Sequence, residues 1–438
     1  MNLLAWGCYQ WADANRKTIM KTIKFTCLAL LILALPAARG EPFRTDINPA
    51  LLYYRAFLLV PDPISNADEE YLRSKAGVEQ KLPERYGKIF AGYDNQFSLV
   101  RQAARTTAPC DWGLDFSVGP NALLPYLARA KAVVQAAQLR GMWNLQHGNQ
   151  AGARDDLLAA FVLARNTSRD GTLIGVLVQD ACEVLLFATV AQNFGQFEPE
   201  TLQQLATGFD AAPPPGALAA VVAGEKLYIH DWLVDQILEF QQGNPGNDAK
   251  VMELIRSNFE QLDAGAHAVF GGNQNTNLWQ QMIIASGGTS DGIVKLLHEA
   301  DPLYLRLGEI MALPEREYAG RIKEFNADIQ KSPNPLLPLL FQFSPLRVRE
   351  FRTQALAAMV HAAVEYKLHG DAGLKSVMDP FGNGPFSFQR FVFKGVDRGF
   401  ELKSAYAGQG FPCVMIFVEK GGPAFYIEGP RVGQPKAD

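Results

Sequence analysis

The sequence has little cysteine and no excess of either charge. Five cysteines occur in 438 residues, and the formal net charge at pH 7 is −4. This composition excludes a small scaffold held by several disulfides, and it gives no reason to expect a nucleic-acid partner. Hydrophobic residues make up 48% of the chain and charged residues 20%, which is typical of a globular protein.

The sequence also lacks the short motifs that would identify a reaction. Its six histidines form no HExxH or similar zinc-ligand spacing, and its glycine-rich stretches match neither GxxxxGK[ST] nor GxGxxG. No pattern predicts a cofactor. Whether the protein is an enzyme stays open, but these absences favour a non-catalytic role.

A targeting segment begins at Met20, where two lysines precede an apolar run of 11 residues and a small-x-small cleavage pattern. The segment predicts a signal peptide over residues 20–40 and a periplasmic or secreted protein. The apolar run is shorter than the roughly 20 residues needed to cross a bilayer, so we expect no permanent membrane span after cleavage. Residues 1–19 carry no targeting pattern, and we expect translation to begin at Met20.

Three cysteines, Cys110, Cys182 and Cys413, remain after this cleavage. Three thiols allow at most one internal disulfide, in any of three pairings. We expect three buried small hydrophobic side chains. One bridge stays open as the alternative, because export leads to an oxidising compartment.

Helical signals dominate up to about residue 370. Asn48 and Pro49 supply an N-cap and a first-turn proline, and apolar residues recur every three or four positions between proline- and glycine-containing breaks. The pattern predicts a mainly α protein, built as an irregular array of antiparallel helical hairpins over residues 41–345. A long helix and a small β-module are expected over residues 346–438.

The stretch 139–166 places small residues where two helices would cross. Gly141 lies before a break at 147–149, and Ala153, Leu157 and Ala160 follow it. Small residues at these positions let two antiparallel helices approach closely. The offsets resemble one tetratricopeptide hairpin, and no second copy follows at the same period. The resemblance implies a pair of packed helices within a larger helical array.

From residue 371 the chain changes character. Short segments rich in aromatic and β-branched residues are separated by glycine-containing turns, which is typical of strands. The pattern predicts a small C-terminal antiparallel β-meander with one buried face. The residues expected on that face are Phe400, Leu402, Ser404 and Tyr406.

The tetrapeptide Asp-Pro-Phe-Gly, from Asp379 to Gly382, and Pro385 lie between the last predicted helix and the first strand. This junction, residues 355–406, resembles the C-terminal module of type II secretion pseudopilins. The resemblance implies a helix followed by a hairpin, and it gives one alternative function, an accessory component of a secretion system. The chain has no prepilin cleavage site, and its loop lacks the carboxylates of the calcium-binding members.

The motif Cys-Asp-Trp-Gly-Leu-Asp-Phe, residues 110–116, precedes the predicted hairpins. Together with the Asp-Pro-Phe module, it makes residues 50–410 similar to a group of exported bacterial helical-repeat-like proteins of unknown function. The resemblance implies a helical domain followed by a β-module, and it implies no activity.

The same motif offers Cys110 beside Asp111 and Asp115 as a thiol nucleophile with acidic neighbours. No cysteine-protease signature surrounds it. The simpler interpretation is a turn in which Asp111 or Asp115 caps the backbone and Trp112 packs.

An acidic stripe offers metal ligands on one predicted helix. Asp231, Asp235 and Glu239 recur every four residues, and carboxylates on one face can bind a divalent cation or act as an acid and a base. The alternative is a solvated face opposite the apolar positions of the helix, which are Ile229, Leu233, Ile237 and Phe240.

A polar loop offers a ligand-binding patch. Residues 269–292 are rich in Gly, Asn, Thr and Ser, and loops on a rigid scaffold commonly carry binding sites. The predicted contact residues are Asn273, Asn275, Asn277 and Trp279. An ordinary surface loop is the alternative.

These observations favour a binding or scaffolding protein of the cell envelope, whose partner is an envelope protein, a peptide or a glycan. Stacked helices form extended grooves that fit such partners. A second alternative is a hydrolase of envelope polymers that uses Asp231 and Asp235 or the Cys110 region.

Overall fold

The computed structural model describes residues 44–59, 67–68, 70, 81–270, 277–341, 343–393, 395–408, 412–420, 425–428 and 431–435. The predicted signal peptide and the predicted start at Met20 lie outside these ranges, as do Asn273 and Asn275. The elements below belong to one compact unit, Asn48–Asp438.

The described chain is mainly helical, which confirms the fold class predicted from the apolar spacing. The side chain of Asn48 accepts a hydrogen bond from the Ala50 N–H, and Pro49 opens the first helix, so the predicted N-cap is present. The last helix is kinked at Gly370, where φ is +62° and ψ −147°. In chain order the helices are α1 (Pro49–Leu58), α2 (Gly87–Gly92), α3 (Asp94–Ala103), α4 (Pro125–Gln146), α5 (Gln150–Thr167), α6 (Leu173–Gln192), α7 (Pro199–Ala211), α8 (Leu218–Glu225), a π-helix (Lys226–Asp231), α9 (Trp232–Gly243), α10 (Asp248–Phe270), α11 (Leu278–Ala285), α12 (Ser290–His298), α13 (Asp301–Met311), α14 (Glu315–Lys331), α15 (Leu337–Leu340) and α16 (Ser344–Ser376).

Helices α4 and α5 form the predicted antiparallel hairpin, with the most extensive helix–helix contact in the described chain. Gly148 between them adopts φ +72°, a left-handed conformation that favours glycine. Asn149 then caps α5 by accepting a hydrogen bond from the Gly152 N–H. A Cβ on Gly141 would lie 3.3 Å from the side chain of Leu157, so the absent side chain allows the close approach.

Helix α6 lies at the centre of the core. Its 20 residues are long and apolar enough to cross a membrane, yet 67% of its most apolar window is buried within the protein. It packs against α4, α5, α16 and β3. Burial on several sides accounts for its hydropathy, because a helix packed all round needs an apolar residue at nearly every position.

The C-terminal sheet has the strand order β1-β2-β3-β5-β4. The first three strands pair antiparallel in sequence order, which confirms the predicted antiparallel module. The last two strands depart from a simple meander, because β5 pairs parallel with β3 and the chain passes through β4 to reach that position. The strands are β1 (Ser387–Phe393), β2 (Val396–Lys403), β3 (Val414–Val418), β4 (Phe425–Glu428) and β5 (Arg431–Pro435).

The sheet packs on the helices through its predicted apolar face. The ring of Phe400 contacts Phe194 at 5.6 Å and Tyr366 at 4.9 Å between ring centroids. Gly195 lies so close to the sheet that a Cβ there would stand 2.0 Å from the carbonyl oxygen of Glu419. The buried residues of this face are Phe400, Leu402, Ser404 and Tyr406, each at most 5% exposed.

Asp379 holds the Asp-Pro-Phe-Gly turn between α16 and β1. Its buried carboxylate accepts hydrogen bonds from the Phe381 N–H at 3.0 Å and from the Ser404 hydroxyl at 2.8 Å. It also accepts one from the Ala405 N–H. The carboxylate therefore ties the turn to the end of β2, which is a structural role.

Candidate functional site

Two cavities lie along α5. The smaller, of ≈ 530 Å³, is lined by residues of α2 to α5, and the larger, of ≈ 740 Å³, mainly by residues of α3, α5 and α7. The side chains of Arg101 and Asp155 line both. Because an α-helix rises 1.5 Å per residue, the lining residues of α5, from Gly152 to Asn166, give a floor of about 21 Å. We call the two cavities together the α5 groove.

The smaller cavity is built around a buried ion network. Asp156 is fully buried, and its carboxylate binds Arg140 Nε at 2.9 Å and Arg101 at 2.5 Å. Arg140 also donates to the Phe90 carbonyl and pairs with Asp94 at 2.9 Å. Burial raises the pKa of Asp156, although the two arginines oppose the shift. The network joins the helical hairpin to α2 and α3.

The larger cavity has an apolar floor. Leu158 and Val162 are half-buried and lie four residues apart on the face of α5 that lines the groove. Gly208 of α7 stands so close that a Cβ there would come within 2.5 Å of the Leu158 side chain. Pro213 and Pro214 lie after α7 and also line the cavity. The α5 groove therefore has a polar end and an apolar end.

A second polar site forms at the π-helix, a conformation that is rare and often found at functional positions. Its wide turn places Lys226 Nζ 2.6 Å from an oxygen of Asp231, and the fully buried ring of His230 lies 2.9 Å from the same oxygen through Nδ1. Asp301 joins them from the start of α13, because α8 packs against α13. Its carboxylate lies 3.0 Å from Lys226 Nζ and accepts a hydrogen bond from His298 Nδ1 at 3.0 Å. We call Lys226, His230, Asp231, His298 and Asp301 the π-helix cluster.

The charges of the π-helix cluster stabilise one another. Burial raises the pKa of Asp231, but hydrogen bonds from Lys226 and His230 outweigh it and leave the pKa below its ordinary value. The pKa of Asp301 is lowered for the same reason, against burial, by His298 and Lys226. The same two carboxylates raise the pKa of Lys226 although burial opposes them.

The predicted acidic stripe is divided by the π-helix. Asp231 belongs to the π-helix cluster, whereas Asp235 and Glu239 are exposed on α9. Glu239 accepts a hydrogen bond from Gln236 at 3.0 Å on the same helix. The stripe is thus one cluster residue and two residues of a solvated face, and the second carboxylate of the cluster, Asp301, comes from another helix.

The predicted polar patch is described only in part. Asn277 is exposed at the N-terminus of α11, and Trp279 is half-buried in that helix. The α5 groove is lined by residues of other elements. The structure therefore places the described half of the patch outside the groove.

Trp112 of the 110–116 motif has the expected packing role. It is 4% exposed and stacks on Tyr126 at 4.1 Å and on Tyr53 at 5.7 Å between ring centroids. Its Nε1–H donates to the Asn166 carbonyl at 2.8 Å, which fixes the motif to the end of α5.

The acids of the motif cap the backbone, as the simpler interpretation predicted. Asp111 accepts a hydrogen bond from the Gly113 N–H, and Asp115 accepts one from the Ser117 N–H, both at 2.9 Å. Each carboxylate thus closes a turn two residues ahead of it, which is the usual behaviour of Asp in loops. Capping explains both residues, so neither needs a role as the base of a thiol nucleophile.

The three cysteines are free, buried thiols, as expected for small hydrophobic side chains. Burial raises the pKa of Cys110 and Cys182 to about 12 and that of Cys413 to about 11. Thiols with such pKa values are protonated near neutral pH and are poor nucleophiles. Cys110 is therefore unsuited to nucleophilic catalysis.

The sequence analysis did not identify a pair of buried acids in α6. Glu183 binds Arg165 at 2.6 Å, and burial raises its pKa to about 7 despite that partner. Burial and the neighbouring Glu183 raise the pKa of Asp180 well above its ordinary value. The available signal was the presence of two acids inside a 20-residue segment that carries no other charge.

Comparisons with protein-family models, curated protein sequences and solved structures find no match to this chain.

Proposed function

We propose that the protein is a non-catalytic binding or scaffolding protein of the cell envelope, and that it holds an extended segment of a partner protein in the α5 groove. The observation that carries this proposal is the pair of adjacent cavities along α5 that share Arg101 and Asp155 in their lining. The predicted signal peptide at residues 20–40 supports a partner in the envelope.

The dimensions of the groove suit an extended chain. A strand-like peptide rises about 3.3 Å per residue, so a floor of about 21 Å accommodates roughly six residues. Each cavity has the volume of an ordinary ligand pocket, and ligand pockets are usually concave and preformed.

The chemistry of the groove favours a peptide with apolar residues toward one end. Leu158 and Val162 offer dispersion contacts to such side chains, while Arg101 and Asp155 offer one donor group and one acceptor group to a peptide backbone. A glycan is the other partner class predicted from the sequence. The aromatic rings of the groove, Phe90 and Trp143, line the smaller cavity, and among the residues described the larger cavity has none. A peptide therefore fits the apolar end better than a glycan does.

A photo-crosslinking amino acid at position 162 tests the proposal in cells. The full-length chain, tagged at its C-terminus, carries the crosslinker at Val162 or, as the matched control, at Ala151, which is exposed on α5 outside the groove. We expect one recurrent envelope protein crosslinked at position 162 and not at position 151, with the adduct mapping to a single short segment. Val162→Arg, combined with a crosslinker at Leu158, should abolish that adduct.

Several outcomes would oppose the proposal. The same partners at both positions would show collision without binding, and the absence of any protein adduct would exclude a bound peptide. A glycan adduct at position 162 would keep the binding site and change the partner class.

The alternatives have less support from the described residues. Cys110, one of the residues predicted to serve a hydrolase, is a buried protonated thiol. Asp231, another of them, is already bound by Lys226 and His230. The secretion-accessory alternative depends on the Asp-Pro-Phe-Gly turn, where Asp379 serves the fold.

A further inference from the structure

The π-helix cluster brings three metal-ligating atoms together. His230 Nδ1 and one oxygen each of Asp231 and Asp301 all lie within 4.8 Å of one another. Ligands around a tetrahedral zinc ion at 2.0–2.2 Å are about 3.4 Å apart. The distances from His230 Nδ1 to the two carboxylates are 2.9 Å and 3.7 Å, on either side of that value. Small side-chain movements would therefore place all three atoms around one ion.

The buried ring of His230 is oriented as a metal ligand would be. Its Nε2 lies 2.9 Å from the Leu297 carbonyl oxygen, which can only accept, so Nε2 carries a proton. Its Nδ1 faces the carboxylates of Asp231 and Asp301, at 2.9 Å and 3.7 Å, and a metal ion at this position would replace the hydrogen bond between Nδ1 and Asp231. Histidines that bind metals are usually held by such a bond from the other nitrogen. His298 orients Asp301 in the same manner from the opposite side.

The permanent positive charge of the cluster belongs to Lys226, and the two histidines add hydrogen bonds to the same carboxylates. Lys226 supplies one ammonium group to two carboxylates, at 2.6 Å and 3.0 Å. Its side chain is 30% exposed and has a flexible four-carbon stem, so it can move toward solvent. A divalent ion in its place would balance Asp231 and Asp301 fully, and buried charge is stable only when it is paired.

We propose that His230, Asp231 and Asp301 form a binding site for one divalent transition-metal ion of the zinc type. Lys226 occupies the two carboxylates when no metal is bound, and it gives way to the ion. The ion joins the π-helix to the start of α13. The site lies outside the α5 groove, so it does not depend on the proposed function.

The ligand set selects the class of metal. Imidazole together with carboxylates suits zinc, cobalt and nickel, whereas calcium and magnesium prefer oxygen ligands alone. Three protein ligands would leave the fourth position of a tetrahedral ion to water. We therefore expect Zn²⁺ to bind and Mg²⁺ at the same concentration not to compete.

Calorimetric titration of the full-length chain with Zn²⁺, after removal of metals by a chelator, tests the site. We expect one equivalent to bind. Lys226→Met removes the competing ammonium and should tighten binding about tenfold, while Asp301→Asn removes a ligand and should weaken it by about 100-fold. Asp235→Asn, an exposed acid on the adjoining helix, is the matched control and should change nothing.

A spectrum distinguishes this site from adsorption at the surface. Co²⁺ should give the visible absorption of a tetrahedral nitrogen and oxygen site in the original chain and in Lys226→Met, and none in Asp301→Asn. If circular dichroism shows that Asp301→Asn is unfolded, Asp231→Asn takes its place as the ligand variant.

Two results would overturn the proposal. One is that both the original chain and Lys226→Met bind less than one equivalent of Zn²⁺ at about 100 µM, because the Kd would then be too high for a built site. The other is a loss of binding in Asp235→Asn as large as in the ligand variants.

Discussion

Two charged clusters of this protein are built from similar groups but differ in their balance. Around Asp156, two guanidinium groups and two carboxylates close a network, since Arg140 pairs with both Asp156 and Asp94. In the π-helix cluster, two carboxylates share the ammonium of Lys226 and hydrogen bonds from two histidines. The first cluster is a structural clamp, whereas the second is the one in which we propose that a metal ion replaces Lys226.

The largest loss of stability should come from breaking the Asp156 network. Asp156→Ala leaves the buried guanidinium of Arg140 without its main partner, and breaking a buried ion pair costs about 3–5 kcal/mol. Urea unfolding should show this loss in the free energy of unfolding. Asp155→Ala, a partly exposed neighbour, should cost no more than about 0.5 kcal/mol. Equal losses in both variants would mean that the network is not a clamp.

A third charged group, Glu183 of α6 with its partner Arg165, sharpens the comparison. Burial raises its pKa more than pairing with the arginine lowers it. The pKa of Glu183 is about 7 in the folded chain, above its ordinary value of 4.5. Its contribution to stability is therefore fully present below pH 4.5 and is lost as the pH rises through 7, by about 3 kcal/mol in total. Urea unfolding at pH 5 and pH 8 measures it, as the difference between the original chain and Glu183→Gln. A steeper fall in Glu183→Gln than in the original chain would contradict the assignment.

Removing a charge from the π-helix cluster should cost less than opening the Asp156 network. Asp301→Asn, without metal, leaves Lys226 paired with Asp231. The side chain of Asp301 is partly exposed, so screening by water limits the loss to about 1 kcal/mol. Urea unfolding in the presence of a chelator tests this value. A loss as large as that of Asp156→Ala would show that both clusters are closed networks.

The smallest effect on stability should come from the α5 groove. Val162→Arg places a long side chain over the floor of the larger cavity, where it is half-exposed, and should change the free energy of unfolding by no more than about 0.5 kcal/mol. Thermal unfolding measures the stability of this variant and crosslinking measures its binding. We expect binding to be lost and stability to be kept. Ala151→Arg is the matched control and should preserve both.

Local signals in the sequence were sufficient to predict the helices, the hairpin and the C-terminal module. Asn48 caps α1, Gly148 ends the first helix of the hairpin, and Phe400 and Leu402 face the core, each for reasons that depend on a few neighbouring residues. The caps at Asp111 and Asp115 were also within reach of such reasoning.

The candidate sites depend on groups that are distant in sequence. Asp301 meets His230 because α8 packs on α13, and no spacing rule relates residues so far apart. The acidic stripe was predicted on the assumption of regular helical turns, whereas a π-helix ends at Asp231 and pairs it with Lys226 and His230. The groove likewise needs α3 and α7 on either side of α5, and their packing follows from the whole fold.

The π-helix has a consequence for inheritance. Its six residues take up one residue more than the same length of α-helix would. In a regular α-helix a gained residue would rotate everything beyond it by about 100° and displace the contacts of the following helix. The wide turn takes up that residue, so α8 and α9 keep their orientation to each other, and the codon that encodes it can be gained or lost without repacking either helix.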